Sequence, residues 1–256
     1  MFVSERLNEI INILNQEGKV EVNKLSILFN VSKDLIRKDL KKLEEQGIVD
    51  RTYGGATKKK HLADTAINIA TRIIENTEIK QQIAYKALNI LKENELIFLD
   101  ISSINYLLAQ KIIEKNLPIT IITNMIDIMH LFSLNPDTIT KLIAIGGKFN
   151  GKIGGFIGTS AIQQLNMFNI DKCFIGTLGL DIKNGNVSTF DQEDGLMKAS
   201  AIKMSKEKIL ITDKTKIEQY GKFIFSNLNK FNLLLTNYKF SHNDKQKFQN
   251  YNLKIT

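Results

Sequence analysis

Short apolar segments alternate with amphipathic segments in the larger, C-terminal part of the chain, and this alternation restricts the possible folds more than any other feature. The apolar segments predict β-strands at 96–99, 119–122, 141–145, 173–175, 208–211 and 231–235. The amphipathic segments predict helices at 78–92, 104–115, 125–132 and 196–204. Apolar strands separated by helices are typical of a mostly parallel sheet that is covered on both faces. The sequence therefore predicts an α/β fold, with residues 252–256 extending the sheet.

Small, polar or glycine residues follow the predicted strands in succession. They are Asp100, Ser102 and Ser103, then Thr123 and Asn124, then Gly146 and Gly147, then Gly176 and Gly179, and finally Thr212, Asp213 and Lys216. The carboxyl ends of parallel strands share one edge of an open sheet, and ligands bind at that edge. Glycines permit close approach to the backbone, while hydroxyls, a helix N-terminus and Lys216 attract an anion. The set predicts a small polyhydroxylated anion such as a sugar phosphate, whose hydroxyls Asp100 and Asn124 can bond.

A purely structural interpretation of the same residues stays open. The glycine pair at 146–147 and the glycines between 151 and 158 can simply form turns. Asp100 and Asp213 can simply cap helices, since Asp is a common capping residue.

The N-terminal segment, residues 5–55, has the pattern of three helices followed by a hairpin. The first helix carries an apolar stripe at 7–14 and ends at Gly18 in a left-handed cap. The second spans about 23–30, with Asn23 as its N-cap. Its inward residues are predicted to be Leu25, Leu28 and Phe29. The third helix runs from an N-cap at Ser32 to about residue 46 and stops at Gly47, and a strand, a glycine turn and a return follow it.

The third helix is amphipathic and basic, which is typical of the recognition helix of a helix-turn-helix protein. Its inward stripe is Ile36, Leu40 and Leu43, and basic side chains fill the outward faces. The residues predicted to contact DNA are Ser32, Lys33, Arg37 and Lys38 on this helix, and Arg51, Thr52 and Tyr53 on the wing that follows. Arg37 is the candidate for reading guanine, because its planar guanidinium can bond both major-groove acceptors. The alternative is a basic, solvated face on an ordinary three-helix bundle.

Composition excludes several classes of protein. Hydrophobic residues make up 43% of the 256 residues, too many for a mainly disordered chain. No apolar run reaches the roughly 20 residues of a membrane span, and the start lacks a signal-peptide pattern. The single cysteine, Cys173, lies in an apolar stretch and is expected to be buried, and the three histidines are scattered. We therefore expect a cytoplasmic protein without a cofactor or metal, and the net charge of +8 favours a polyanionic partner such as nucleic acid.

These N-terminal residues closely resemble the DNA-binding signature of the DeoR family of bacterial transcriptional regulators. The resemblance covers residues 31–40 and 43–56, and Arg6 with the 7–14 stripe matches the family's first helix. The chain departs from the family at Leu35, where Thr is usual, and at Tyr53, where His is usual. The first departure removes a polar group from the DNA-facing helix, so the family's operator sequence does not carry over.

The resemblance continues in order through the second part of the chain. The matching residues are Lys80, Ile83, Ala84, Leu99, Asp100, Thr123, Asn124, Gly146, Gly147, Gly158, Ala161, Gly176, Gly179, Glu193, Lys198, Asp213 and Lys216. The family's domain is similar to sugar-phosphate isomerases of the ribose-5-phosphate isomerase type, and it generally senses an effector. The resemblance therefore adds Glu193 and Lys198 to the effector-binding set. One local departure is the segment 100–104, where Asp-Ile-Ser-Ser-Ile replaces the family's Asp-x-Gly-Thr-Thr.

The resemblance implies a winged helix-turn-helix domain at 1–57, a linker at 58–77 that can contain a short helix at 67–74, and an effector-sensing domain at 78–256. It implies a repressor of sugar-metabolism genes that binds a double-stranded DNA operator as a dimer or tetramer and responds to a sugar phosphate. A rival hypothesis is a sugar-phosphate isomerase with an appended DNA-binding head, in which Asp100, Glu193, Lys198 and Asp213 transfer protons. A third hypothesis treats the second domain only as an oligomerisation scaffold.

Overall fold

The structure is a computed structural model that describes residues 3–45, 48–58, 72, 76–240, 248, 251 and 253–256. The chain forms two compact units, residues 1–76 and residues 77–256. The helix predicted at 67–74 lies, apart from Arg72, outside the described residues. Each unit is built around its own hydrophobic core.

The N-terminal unit consists of three helices and a small antiparallel sheet. Its elements are α1 (Val3–Glu17), β1 (Lys19–Glu21), α2 (Val22–Phe29), α3 (Lys33–Glu45), β2 (Val49–Thr52) and β3 (Gly55–Lys58). The strand order is β1-β3-β2, so β1, which carries a single apolar residue and was not predicted, completes the wing. Gly18 has a φ of 74° and its N–H donates to the Leu14 carbonyl at 2.9 Å, as the predicted left-handed cap requires.

Two predictions about α2 are wrong. The helix begins at Val22, and Glu21 rather than Asn23 occupies the N-cap position, without a side-chain capping bond. Because the helix begins with Val22, its inward stripe runs through Val22, Leu25 and Phe29, and Leu28 falls to one side of that stripe. Leu28 is accordingly 62% exposed. The prediction for Ser32 is confirmed, since its hydroxyl oxygen accepts a hydrogen bond from the Leu35 N–H at 3.2 Å.

A buried ion pair joins α1 to α3. Arg6 Nε donates to Asp39 Oδ2 at 2.6 Å and Arg6 Nη2 donates to Asp39 Oδ1 at 3.2 Å. Only 3% of Arg6 and 4% of Asp39 is exposed. The hydrogen bond that Arg6 donates to Asp39 raises the pKa of Arg6, so the guanidinium stays charged inside the core. The pair fixes how α1 crosses α3, because a two-pronged Arg–carboxylate contact is geometrically specific.

The C-terminal unit is an α/β domain, as predicted. Its helices are α4 (Thr77–Leu88), α5 (Ser103–Glu114), α6 (Ile126–Ser133), α7 (Thr159–Leu165) and α8 (Gln192–Met204). Its strands are β4 (Leu96–Leu99), β5 (Thr120–Thr123), β6 (Lys141–Ala144), β7 (Lys148–Asn150), β8 (Gly155–Ile157), β9 (Ile170–Gly176), β10 (Gly179–Leu180), β11 (Asn186–Thr189), β12 (Ser205–Ile211), β13 (Phe223–Asn227), β14 (Leu233–Leu235) and β15 (Lys254–Ile255). Helix α4 ends four residues before the predicted helix does. The last predicted strand, 231–235, begins two residues later than predicted, at Leu233, after a 3-10 turn at Leu228–Lys230.

Seven of these strands form one parallel sheet in the order β15-β14-β12-β9-β4-β5-β6. Helices α7 and α8 pack on one face, and α4 and α5 contact the sheet through β14 and β9. The prediction that the last residues extend the sheet is confirmed by β15, which pairs with β14. After β4 the chain adds β5 and β6 on one side of the sheet, and after β9 it adds β12, β14 and β15 on the other side. The direction in which strands are added therefore reverses between the neighbouring strands β4 and β9.

The smaller sheets were not predicted. The glycine-rich stretch after β6 forms the hairpin β7–β8 rather than turns alone, and β10, β11 and β13 form a separate antiparallel sheet. The strands β7, β8, β10 and β11 are short and carry few consecutive apolar residues, so hydrophobic periodicity does not reveal them. The run Phe-Ile-Phe at the start of β13 was missed.

Cys173 is buried, as expected, in the middle of β9. Burial raises the pKa of its thiol to about 12. At pH 8 only about 0.01% of the Cys173 side chains are therefore ionised, and the thiolate is the form that reacts. We therefore expect iodoacetamide to leave the native protein unlabelled while it labels the urea-unfolded chain, as measured by mass spectrometry. Rapid labelling of the native protein would contradict this burial.

Candidate functional site

The side chains predicted to contact DNA lie exposed on α3. Ser32, Lys33, Arg37 and Lys38 are all exposed to solvent. Arg37 Nη1 donates to Asp34 Oδ1 at 2.6 Å, and the two side chains are 58% and 81% exposed. A pair this exposed contributes about 0–1 kcal/mol, so Arg37 can leave Asp34 for a stronger acceptor at little cost. Helix α3 thus offers a basic surface whose charges are available to a polyanion.

The predicted wing is the hairpin of β2 and β3. Gly54 turns the chain with a φ of 87°, and Tyr53 beside it is fully exposed at the tip. Arg51 contacts α3 through Glu44. The backbone N–H of Arg51 donates to Glu44 Oε1 at 3.3 Å, and its Nη1 lies 3.6 Å from Glu44 Oε2. Gly55 brings β3 against β1 so closely that a Cβ there would lie 2.1 Å from the Val20 carbonyl oxygen. The wing is therefore held to α3 and to β1, with its tip free of packing.

The second candidate site lies where β4 and β9 end side by side. Because the chain changes direction between these strands, this is the position at which open α/β sheets form a ligand crevice. Asp100 follows β4, and its carboxylate accepts hydrogen bonds from the Gly176 N–H at 3.1 and 3.0 Å and from Asn105 Nδ2 at 2.6 Å. The same carboxylate is ion-paired with Lys198, which reaches the sheet edge from α8.

The Asp100–Lys198 pair is almost completely buried, with 2% of Asp100 and 4% of Lys198 exposed. Burial raises the pKa of Asp100, and the attraction of the Lys198 ammonium group opposes this rise. Asp194 lies 3.7 Å from Lys198 Nζ and accepts a hydrogen bond from Thr189 at 2.7 Å. Asp100 and Lys198 were predicted to lie at this site, whereas Asn105, Thr189 and Asp194 were not.

The segment after Asp100 departs from the family pattern but still caps a helix. Ser102 is the N-cap of α5, and its hydroxyl oxygen accepts from the Asn105 N–H at 3.1 Å. Ser103 is buried at the first turn. Gly176 makes room for this loop, because a Cβ there would lie 2.7 Å from the Cβ of Ser102. The hydroxyls thus lie at a helix N-terminus beside the buried ion pair.

Thr123 and Asn124 follow β5, the next strand. Thr123 Oγ1 donates to the Leu99 carbonyl at 2.7 Å and accepts from the Met125 N–H at 3.1 Å, so this hydroxyl links the ends of β4 and β5. Asn124 Nδ2 donates to the Phe156 carbonyl at 2.8 Å. Within the described part of the chain, the buried Oδ1 atoms of Asn124 and Asn105 lack a hydrogen-bond partner. A buried acceptor without a donor costs about 1–3 kcal/mol, which a ligand hydroxyl can recover.

Gly146, Gly147 and Glu193 lie around the β7–β8 hairpin. The Gly146 N–H donates to Gln164 Oε1 at 3.2 Å, and a Cβ on Gly147 would lie 2.9 Å from the Ile157 carbonyl oxygen. Glu193 forms an exposed ion pair with Lys148 at 3.0 Å. Gly147 is therefore required by close packing, whereas Gly146 contributes a backbone hydrogen bond and has open space beside its Cα. The ion pair connects Glu193 to the hairpin.

Asp213 and Lys216 follow β12, one strand beyond β9. Asp213 is buried and caps a 3-10 turn, Lys214–Lys216, by accepting from the N–H of Thr215 at 2.8 Å and from its hydroxyl. Lys216 lies half-buried in that turn. The capping role that sequence analysis left open for Asp213 is therefore present, whereas Asp100 caps no helix and instead forms the buried pair.

In the residues that the structure describes, no group of three or more His, Cys, Asp or Glu side chains is arranged to hold a metal ion. None of the described helices is long and apolar enough to cross a membrane.

Two family models match the chain. The DeoR-like helix-turn-helix domain matches residues 6–61, and the DeoR C-terminal sensor domain matches residues 75–238. The L-fucose operon activator of Haemophilus influenzae is 30% identical over 89% of this chain and 89% of its own length. The transcriptional repressor GlcR of Bacillus subtilis is 28% identical over 92% of this chain and 89% of its own length.

Solved structures with a partly similar fold include ribose 5-phosphate isomerase a from Methanocaldococcus jannaschii. It is 16% identical, with a TM-score of 0.41, over 56% of this chain and 55% of that chain. The delta subunit of eIF2B from Chaetomium thermophilum is 10% identical, with a TM-score of 0.47, over 67% of this chain and 59% of that chain.

Proposed function

The chain belongs to the DeoR family of transcriptional regulators, and from this premise we propose that it is a repressor of sugar-metabolism genes controlled by a sugar-phosphate effector. The observation that carries the proposal is that one chain contains both a basic helix with a wing, in the N-terminal unit, and a polar crevice at the β4–β9 edge, in the C-terminal unit. The proposed operator is double-stranded DNA, read by α3 in the major groove.

Arg37 is the proposed base-reading residue, and its replacement tests the DNA-binding role. In the variant Arg37→Ala, we expect the free energy of binding to a specific operator to weaken by about 1–3 kcal/mol, or roughly 5–160-fold in affinity, because a bidentate contact to guanine is lost. The operator is first selected from a random pool of duplexes, and binding is measured by fluorescence anisotropy at fixed salt. Affinity for a scrambled duplex should fall much less.

The matched control for this experiment is Lys206→Ala, which removes one positive charge from an exposed side chain of the other unit. It should leave operator affinity unchanged. Equal operator affinity in Arg37→Ala and the wild type would show that Arg37 does not read the operator. The variant Arg37→Lys tests whether operator binding needs the shape of the side chain as well as its charge, because lysine keeps the positive charge but lacks the planar guanidinium group.

The effector is proposed to bind at the β4–β9 edge. Three features support a sugar phosphate there. The Ser102 and Ser103 hydroxyls lie at the N-terminus of α5, which favours a phosphate, and Lys198 lies nearby. The unsatisfied oxygens of Asn105 and Asn124 can accept hydrogen bonds from sugar hydroxyls. Binding alters DNA affinity only if the effector prefers one of two arrangements of the protein.

A thermal-shift panel of sugar phosphates, each paired with its free sugar, tests this effector class. A ligand present at about 100 times its Kd stabilises the folded protein by about 2.7 kcal/mol, which raises Tm by several degrees. We expect one phosphate to raise Tm while its free sugar does not. A panel without any shift would remove the support for an effector of this class, while the DNA-binding part of the proposal would stand.

The protein is proposed to work as a cytoplasmic homo-oligomer, a dimer or a tetramer, because two copies of the N-terminal unit can then contact two operator half-sites. We further propose that it is not an isomerase. Asp100 and Lys198, two of the groups suited to proton transfer, neutralise each other, and Asp213 caps a turn. Interconversion of aldose and ketose phosphates by the purified protein would overturn this part of the proposal.

A further inference from the structure

A cavity of about 410 Å³ lies outside the β4–β9 edge, between the last turn of α8, the strands β12 and β13, and the 3-10 turn before β14. Lys203, Lys208 and Lys230 line it, one each from α8, β12 and the 3-10 turn. The apolar part of the wall includes Ile202 and Phe225. The volume lies within the range of about 300–1,000 Å³ that is typical of small-molecule sites.

The positive charge of this cavity is not balanced by an acid among the described residues that line it. Within the described part of the chain, Lys203, Lys208 and Lys230 form no ion pair, whereas nearby Lys206 pairs with Asp171 at 2.8 Å and Lys172 pairs with Glu95. The described residues that line the cavity include no acid. Ammonium groups gathered around one space repel each other, and a bound anion would turn that repulsion into attraction.

We propose that this lysine cavity binds a small organic phosphate that carries at least two negative charges. Lys203, Lys208 and Lys230 would hold the charged groups from three sides, because an ammonium ion donates to phosphate oxygens without a fixed orientation. Phe225 and Ile202 would contact the organic part, and Ser226 adds a hydroxyl to the lining. A ligand with a single charge would leave most of the lysine charge unbalanced.

This cavity is separate from the proposed effector crevice but adjoins it. The ring of Phe225 lines the cavity, and its centroid lies 6.0 Å from Nζ of Lys198, the partner of Asp100. Helix α8 carries both Lys198 and Lys203. The proposal does not depend on the effector being a sugar phosphate, and its test must distinguish the two sites.

The test uses inorganic pyrophosphate as the probe and the full chain as the protein. Isothermal titration calorimetry of the wild type should give saturable binding. In Lys208→Met, and in the double variant Lys203→Met with Lys230→Met, we expect Kd to rise by roughly tenfold or more, because each lost contact is a charge-assisted hydrogen bond. Methionine preserves the length and packing of the aliphatic stem, and a thermal melt checks that each variant is folded.

The matched control is Lys206→Met, which removes the same charge two residues from Lys208 at an exposed, paired position. We expect its Kd to stay within about twofold of the wild type. Three results would overturn the proposal. They are an absence of saturable binding, equal weakening by Lys206→Met, and binding that survives the lysine-cavity variants but is lost in Asn124→Ala. The last result would assign pyrophosphate to the β4–β9 edge.

Discussion

Replacing Lys198 by Met is expected to lower the free energy of unfolding of the C-terminal unit by about 3–5 kcal/mol. The variant leaves the Asp100 carboxylate buried without its cationic partner, although the Gly176 N–H and Asn105 Nδ2 still donate to it. Urea unfolding followed by circular dichroism measures the loss, and hydrogen exchange assigns it to residues 77–256. Glu193→Gln on the same helix breaks only an exposed pair, and it should cost less than about 1 kcal/mol.

A second substitution identifies the cause of this loss. Lys198→Met combined with Asp100→Asn removes the Asp100 carboxylate, while Asp194 keeps its hydrogen bond from Thr189. We therefore expect at least about 1 kcal/mol of the lost stability to return. If the double variant is no more stable than Lys198→Met, the uncompensated Asp100 carboxylate is not the cause of the destabilisation.

The loss in Lys198→Met should also depend on pH. Burial already raises the pKa of Asp100, and removal of the ammonium group takes away the opposing effect. A carboxyl whose pKa is higher in the folded than in the unfolded state destabilises the fold as pH rises through its folded pKa. The difference in stability between the wild type and Lys198→Met should therefore shrink as pH is lowered from 7 toward the unfolded value of about 4. A difference that is constant with pH would contradict this account.

The second large effect is expected in the N-terminal unit. Asp39→Ala leaves the charged guanidinium of Arg6 buried without a carboxylate, and breaking such a pair costs about 3–5 kcal/mol. A unit of this size is stable by only about 4–11 kcal/mol, so the variant loses from about a quarter to all of that stability and the unfolded population of residues 1–76 rises. We expect faster hydrogen exchange in α1 and α3 and weak binding to every duplex, specific or scrambled. This pattern differs from that of Arg37→Ala, which should mainly lose specific binding.

Two variants serve as controls for the Arg6–Asp39 pair. Glu45→Ala removes the exposed partner of Lys41 on the same helix and should change stability by less than about 0.5 kcal/mol. Arg6→Met with Asp39→Leu replaces both buried charges by apolar side chains, and it should recover most of the stability. A stable, DNA-binding Asp39→Ala variant would show that the pair contributes little to the fold.

Much of the fold could be predicted because it rests on local patterns. The parallel-sheet strands and the helices α4, α5, α6 and α8 were predicted from runs and periodicities of apolar residues, with errors of a few residues at their ends. Helix α7 (Thr159–Leu165) was missed. The wing was predicted from its glycine turn. In contrast, β1, the β7–β8 hairpin and the β10-β11-β13 sheet were missed. Apart from β13, these strands are short and have few apolar residues, so they carry no periodic signal.

The candidate site was predictable in part for the same reason. Strand ends can be located along the chain, and parallel strands bring their carboxyl ends to one edge, so Asp100, Ser102 and Asn124 were found without a structure. The sequence also located Arg37 and its basic neighbours, since the inward stripe of α3 leaves them outside.

Only the tertiary structure decides which charged side chains form ion pairs with each other. Asp100 pairs with Lys198, 98 residues away, because β9 lies beside β4 and α8 returns to that edge. Arg6 pairs with Asp39, 33 residues away, because α1 crosses α3. The lysine cavity gathers side chains from three elements in the same way. Local periodicity indicates which face of a helix or strand is buried. These contacts instead depend on how helices and strands that are distant in the sequence pack together, so no single stretch of the sequence predicts them.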